Sequence, residues 1–160
     1  MAVNRTSIAA LSLSAAALVG IAGWERYRAD AYLPTPDDVP TIGWGSTAGV
    51  QMGQRTTPDR ALVRLLADAQ QHERELRACI GDVALHQHEW DAYVSWVFNV
   101  GTGAACSSTL VRKLRADPPD YAGACRELLR WNRQAGRVLP GLTKRRQAEF
   151  EQCTGGSTHD

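Results

Sequence analysis

The sequence predicts an α+β domain, mainly α, in which a small β-hairpin lobe precedes a larger helical lobe. Three observations carry this. Residues 24–56 are dense in Pro, Gly and Asp and hold only two short extended runs. From Thr57 onward, apolar residues recur at helical spacing in successive segments separated by Gly- or Pro-bearing breaks. At 160 residues the chain suits one globular unit able to bury its own core.

The N-terminal stretch is of a different kind. Met1 to Gly23 carries Arg5 as its only charge, and Ser7 to Gly23 is an uncharged run of 17 residues. That is the short limit for crossing a hydrocarbon core of about 30 Å. It is also weakly apolar, with six Ala, three Ser and two Gly beside three Leu, two Ile and one Val. Three readings compete: an uncleaved anchor, a signal peptide cut near the small residues Ser14 to Ala17, and an Ala-rich core helix. Cleavage close to Glu25 would leave that carboxylate on a frayed terminus. An uncleaved anchor whose last turns become the first helix of the domain is therefore preferred. This divides the chain into a leader, 1–23, and a main domain, 24–160.

In the β lobe, Ala31 to Leu33 and Val39 to Trp44 read as strands on either side of the turn formers Pro34-Thr35-Pro36-Asp37-Asp38. Pro34, Pro36 and Pro40 lack N–H donors, so the sheet must be small. In the helical lobe, Thr57-Pro58 starts a helix that keeps its apolar spacing to about Cys79. His86 to Val100 places Trp90, Tyr93, Val94, Val97 and Val100 on one broad stripe, which suits a central buried helix. Gly101-Thr102-Gly103 ends it. Ser107 or Ser108 caps a short helix through Leu114. Another helix starts at Asp117-Pro118-Pro119 and runs to Trp131. Gln134 to Gly141 reads as a loop, Thr143 caps a last helix to about Cys153, and the final residues fray.

Charge says little about partners. The net charge of +1 gives no argument for nucleic acid. Arg126 to Arg146 is strongly basic, with Glu127 its single acid, which fits either an anionic polymer or a solvated helix face. Four cysteines, Cys79, Cys106, Cys125 and Cys153, contain no C-x-x-C pair, so zinc-ribbon and thioredoxin-like motifs are unsupported. Their even number beside an export-like N-terminus points to two disulfides, with three connectivities open. Four buried free thiols are the alternative.

Candidate chemistry centres on Glu25, which directly follows the apolar run and Trp24. Such surroundings favour a neutral, proton-donating carboxyl. Asp37, Asp38 and Thr41 lie where a hairpin can fold back toward it. A carboxyl acid opposite a second group that activates water is the arrangement glycoside hydrolysis needs. His86 and His88, two apart on a helix, point in different directions and do not make a metal site. No metal or cofactor is expected, and no G-x-S-x-G or Cys/His nucleophile pattern occurs.

These residues carry a resemblance. Glu25 and Pro40-Thr41-Ile42-Gly43-Trp44-Gly45 are similar to the catalytic segment of phage-type lysozymes, the family 24 glycoside hydrolases. Further matches follow in order: Asn99-Val100-Gly101, Ser108-Thr109-Leu110, Arg130-Trp131, Gly141-Leu142 and Arg145-Arg146. The weak anchor joined to Glu25 further resembles the signal-arrest-release endolysins of that group. The resemblance implies a lysozyme-like fold with the active-site cleft between the lobes, and catalytic Glu, Asp and Thr. Here Glu25 and Thr41 match. The positions where the pattern puts its aspartate are Pro34 and Thr35, neither of them acidic. Asp38 is taken for that role, with Asp37 and Thr35 as alternatives. Tyr32, Trp44 and Asn99 are candidate substrate-binding residues. Cysteine placement beside the family pattern favours the pairs Cys79–Cys106 and Cys125–Cys153. The leader has no cysteine, so disulfide exchange with it is not expected.

The implied function is an inverting muramidase acting on peptidoglycan. It would be a monomer, held transiently in the inner membrane by residues 7–23 and then active in the periplasm. Two alternatives are a lytic transglycosylase, which needs one Glu and no water-activating partner, and a membrane-tethered wall-binding module without catalysis. A cationic membrane-disrupting role for residues 126–146 is a third.

Overall fold

The structure, a computed structural model, describes residues 4–156. The fraying expected at the end of the chain falls largely outside those residues. The fold is α+β and mainly helical, as expected, with three small two-stranded antiparallel sheets among the described residues.

The larger lobe is built around a helix spanning Gln87–Val100, here α3, in which every residue from Glu89 to Val97 is buried. The broad apolar stripe is the cause, because Trp90, Tyr93 and Trp96 leave no face for solvent. Around it pack α2 (Pro58–Ile80), α5 (Thr109–Leu114), α6 (Tyr121–Glu127) and α7 (Pro140–Cys153). Leu76, Leu85, Leu110, Leu114 and Leu128 complete this core. The short α4 (Thr102–Cys106) follows directly after Gly101, whose φ of 84° breaks α3. Among the end signals, Ser108 Oγ accepts from the Val111 N–H at 3.2 Å, as its capping position predicts.

The β lobe has its own small core of Ala31, Ile42 and Val50. Its strands are β2 (Arg28–Tyr32) and β3 (Thr41–Gly43), antiparallel, with Tyr32 opposite Thr41 and Arg28 opposite Gly43. Both differ from the expected bounds. The first strand lies earlier because Pro34 and Pro36 terminate it. The second stops at Gly43, whose φ of 65° turns the chain.

Three other departures have local causes. Gln134 to Gly141 is not all loop: β5 (Arg133–Gln134) and β6 (Arg137–Val138) pair across Ala135 and Gly136, both at positive φ, which is the geometry of a tight two-residue hairpin. α6 starts later than Asp117-Pro118-Pro119, because Asp120 supplies the cap, accepting from the Gly123 N–H at 2.9 Å. α7 starts at Pro140, ahead of Thr143, whose hydroxyl instead donates to the Leu139 carbonyl at 3.2 Å.

The apolar N-terminal run is divided, not continuous. β1 (Thr6–Ser7) pairs with β4 (Ala84–Leu85), a single 3-10 turn covers Ile8–Ala10, and α1 runs from Ala15 to Trp24. Ser14 caps α1, its Oγ accepting from the Ala17 N–H at 3.1 Å. Polar side chains of the helical lobe hold the segment. Arg77 donates to the carbonyls of Ile8 (3.0 Å) and Leu11 (2.7 Å). Glu73 accepts from the Leu13 N–H at 2.7 Å, and Asp91 accepts from both N–H and Oγ of Ser14. Arg5 pairs with Glu89 through two contacts of 2.8 and 3.1 Å. Among the described residues, no helix is long and apolar enough to cross a membrane.

Two disulfides, Cys79–Cys106 and Cys125–Cys153, tie α2 to α4 and α6 to α7, the pairing the resemblance implies. The second closes a separation of 28 residues at the far end of α7. Replacing Cys125 and Cys153 together by Ser should lower unfolding free energy by roughly 3–4 kcal/mol, the loop-closure expectation for that separation. Urea denaturation measures the loss.

Candidate active site

Glu25 is the residue on which α1 ends. Its N–H still donates to the Ile21 carbonyl at 3.1 Å, and its φ and ψ of −87° and 122° turn the chain out of the helix. The side chain is therefore carried by the last helical turn while the backbone already runs toward β2. Glu25 Oε1 accepts from Arg145 Nη1 at 2.9 Å, and the carboxylate side chain is 25% exposed. It is reachable by a substrate, and it is fixed from behind.

Arg145 arrives from α7, 120 residues along the chain. It is itself locked: Nη2 donates to the Ser95 carbonyl at 3.2 Å, and Nε donates to Glu149 Oε1 at 3.2 Å. Its guanidinium carbon stands 5.9 Å from the centre of the Trp24 ring. The helical lobe thus holds the acid through one guanidinium nitrogen, Arg145 Nη1.

The β lobe closes from the other side. Gly45, at φ 83°, lies so near that a Cβ there would stand 3.2 Å from Glu25 Oε2. The turn is held in place by reciprocal backbone bonds between Ile42 and Ser46 and by Ser46 Oγ donating to Asp68 of α2 at 2.6 Å. Gly43 packs against α2 so closely that a Cβ would come within 2.8 Å of the Ala61 Cβ. Glycines at both positions let the hairpin sit against α2 and Glu25 together.

The other expected site residues fall on two sides. Thr41 is buried, and its Oγ1 donates to the Val39 carbonyl at 3.1 Å, which leaves the oxygen lone pairs free to accept. Asp37 and Asp38 lie on the exposed turn, where the Asp38 carboxylate accepts from the Thr35 hydroxyl at 3.3 Å. Among the described residues neither aspartate makes a hydrogen bond to Glu25. Tyr32 lies under the Arg28 guanidinium at 4.5 Å, and Trp44 is half-buried against Tyr27, with ring centres 5.1 Å apart. Asn99 is exposed at the end of α3 and borders a cleft of about 350 Å³ with Trp131, Arg133 and Leu142. His86 and His88 do not diverge as expected: His86 is the cap of α3, outside the helix, and the two rings stack with centres 5.1 Å apart.

Sequence reasoning gave Arg145 no role in this site, nor Glu149. The signal was present: two adjacent arginines and a glutamate three and four residues on, inside a helix that also carries a buried cysteine. Chemically, the arrangement offers a quarter-exposed carboxyl at the junction of two lobes.

Comparison with known proteins follows the same outline. The sequence pattern of the family described as phage lysozyme matches residues 22–149. An endolysin of Acyrthosiphon pisum secondary endosymbiont phage 1 is 40% identical over 113 residues, covering 68% of this chain and 75% of that one. A SAR-endolysin of Pseudomonas phage phiKMV is 35% identical over 143 residues, 87% of this chain and 86% of its own. The solved endolysin of Escherichia coli O157:H7 phage FAHEc1 superposes with a TM-score of 0.80 at 27% identity, covering 98% of this chain and 100% of that one.

Gly45→Ala should place a methyl group against the Glu25 carboxylate and strain the turn. Turnover should fall roughly ten- to hundredfold, as expected for a displaced reacting group, with KM little changed. Steady-state kinetics on purified cell wall separates the two.

Proposed function

The chain belongs to the phage lysozyme family, and from that premise we propose that Glu25 is the general acid with which it opens its substrate. It is a peptidoglycan-hydrolysing endolysin of host-cell lysis, a lysozyme-type glycoside hydrolase. The bond we assign is the β-1,4 linkage between N-acetylmuramic acid and N-acetylglucosamine. One observation carries the assignment: a quarter-exposed carboxylate held from the helical lobe by Arg145 and closed over from the β lobe by Gly45.

In this reading Glu25 gives its proton to the leaving glycosidic oxygen. A water on the opposite face of the sugar, hydrogen-bonded to the free lone pairs of Thr41, attacks the anomeric carbon and gives its proton to the carboxylate of Asp38. The outcome is inversion, for which carboxyl separations of about 6.5–9.5 Å leave room for the water. Asp38 reaches that water when the Thr35–Asp38 turn closes on a bound glycan. Tyr32, Trp44 and Asn99 contact the sugars on either side. Glu25→Gln should reduce lysis of purified peptidoglycan by at least a hundredfold, the scale of a lost general acid. Retained activity would remove Glu25 from the role.

A second reading has its own support. The polar partner of Glu25 among the described residues is Arg145, and no second carboxylate pairs with it. A lytic transglycosylase needs no such carboxylate, and 1,6-anhydro ends in the digest would decide for it.

The N-terminal segment is assigned a delivery role. Residues 7–23 tether the exported chain in the inner membrane and later leave it, after which they dock as β1, the 3-10 turn and α1, and the enzyme acts as a monomer in the periplasm. The low hydrophobicity of the run supports this, as do the relatives named SAR-endolysins. A Cβ at Gly20 or Gly23 meets nothing within 4 Å, so the docked fold has room for larger residues there. Replacing both by Leu should therefore leave the folded enzyme intact while shifting protein from the soluble to the membrane fraction. Fractionation of expressing cells with unchanged partition would count against the tether.

A further inference from the structure

The charges behind Glu25 are more numerous than one ion pair requires. α7 brings two guanidiniums, Arg145 and Arg146, at 4% and 0% exposure, and one carboxylate, Glu149, at 2%. Glu149 Oε1 accepts from Arg145 Nε at 3.2 Å, from Arg146 Nη2 at 2.9 Å and from Ser95 Oγ at 2.8 Å. Its Oε2 stands 2.7 Å from Arg146 Nε but off the N–H axis, so that contact is charge attraction more than a directed hydrogen bond. Burial pushes the Glu149 carboxyl up from its ordinary range, and Arg146, Arg145 and the Ser95 hydroxyl act against that push. No substrate reaches Glu149. It lies behind the acid, beside a cavity of about 460 Å³ under α1 that Trp24, Gly20 and Ser95 also line.

We propose that Glu149 is a positioning residue for catalysis, which orients Arg145 toward Glu25 and offsets the charge of the two guanidiniums that α7 buries next to that contact. The inference rests on the reading of Glu25 as general acid. Without Glu149, Arg145 keeps Ser95 and Glu25 as partners but loses the anchor on its Nε. α7 would then bury two guanidinium charges with no buried carboxylate of its own beside them. The groups around this centre are Arg145, Arg146 and Glu149 from α7, Ser95 and Asp91 from α3, Trp24 at the end of α1, and Gly45 from the β lobe. Asp91 is occupied by Ser14 and Gln87, so its charge is already engaged. Glu149 is thus the carboxylate that both arginines share.

Glu149→Gln keeps the shape and removes the charge. On purified peptidoglycan, the alkaline limb of the kcat–pH curve should move to lower pH by about one unit, and kcat near neutrality should fall about tenfold. KM should change little, and Glu149→Asp should restore the position of the limb. A merely structural role would lower kcat equally at every pH with the limb in place, and that result overturns the proposal. Arg146→Met removes a positive charge, and its limb should move to higher pH. A shift the other way, or none, also overturns it. Arg146→Met carries the test alone where Glu149→Gln fails to fold by near-ultraviolet circular dichroism. Glu25→Gln is assayed alongside: activity retained there strikes the acid assignment itself, whereas its loss with unshifted limbs strikes only the role of Glu149.

Discussion

The structure depends on the contact between Glu25 and Arg145. It joins the residue that ends α1 to a helix 120 positions later, and it does so across the junction of the two lobes. Arg145 is almost wholly buried, so its charge must be met on every side. It is met by Glu25, by the Ser95 carbonyl and by Glu149. A buried pair adds little net stability relative to an apolar packing, yet removing one partner costs about 3–5 kcal/mol because the other charge is stranded. Such a network therefore acts as a geometric specification. It fixes how α7 presents Arg145 to the end of α1.

The same logic governs the N-terminal segment. Residues 5–14 are held less by apolar burial than by Arg77, Glu73, Asp91 and Glu89, which satisfy backbone groups and the ends of short elements. α1 buries only Ala17 and Ile21, and its small residues leave a cavity beneath it. A helix richer in Leu or Ile would fill that space and gain burial energy, on the order of 25 cal/mol per Å² of apolar surface. The Ala- and Gly-rich composition gives up that gain. That composition suits the delivery role proposed for the segment, in which it enters and later leaves a hydrocarbon layer. Polar docking compensates, because hydrogen bonds to backbone do not raise the hydrophobicity of the segment itself.

Much of this was legible in the sequence. The stripe of Trp90, Tyr93, Val94 and Val97 marks α3, and the Thr57-Pro58 start with its Leu spacing marks α2, because both patterns are local. Glu25 stood out at the junction of an apolar run and a turn-rich stretch. What escaped was of two kinds. The hairpin at Ala135-Gly136 and the short α4 are too brief to show a period. The partnership of Arg145 with Glu25 is long-range, and no local pattern reveals which buried arginine meets which carboxylate. The aspartates of the turn remain where the sequence put them, on an exposed loop, with Asp38 engaged by Thr35.

A double-mutant cycle on kcat between Glu25→Gln and Arg145→Met tests the dependence most directly, using labelled peptidoglycan to reach low residual rates. If Arg145 acts through Glu25, its loss should slow the native enzyme strongly and change the Glu25→Gln enzyme little, giving a large coupling. If the two losses multiply as independent factors, Arg145 serves some other purpose and the account built on that contact fails.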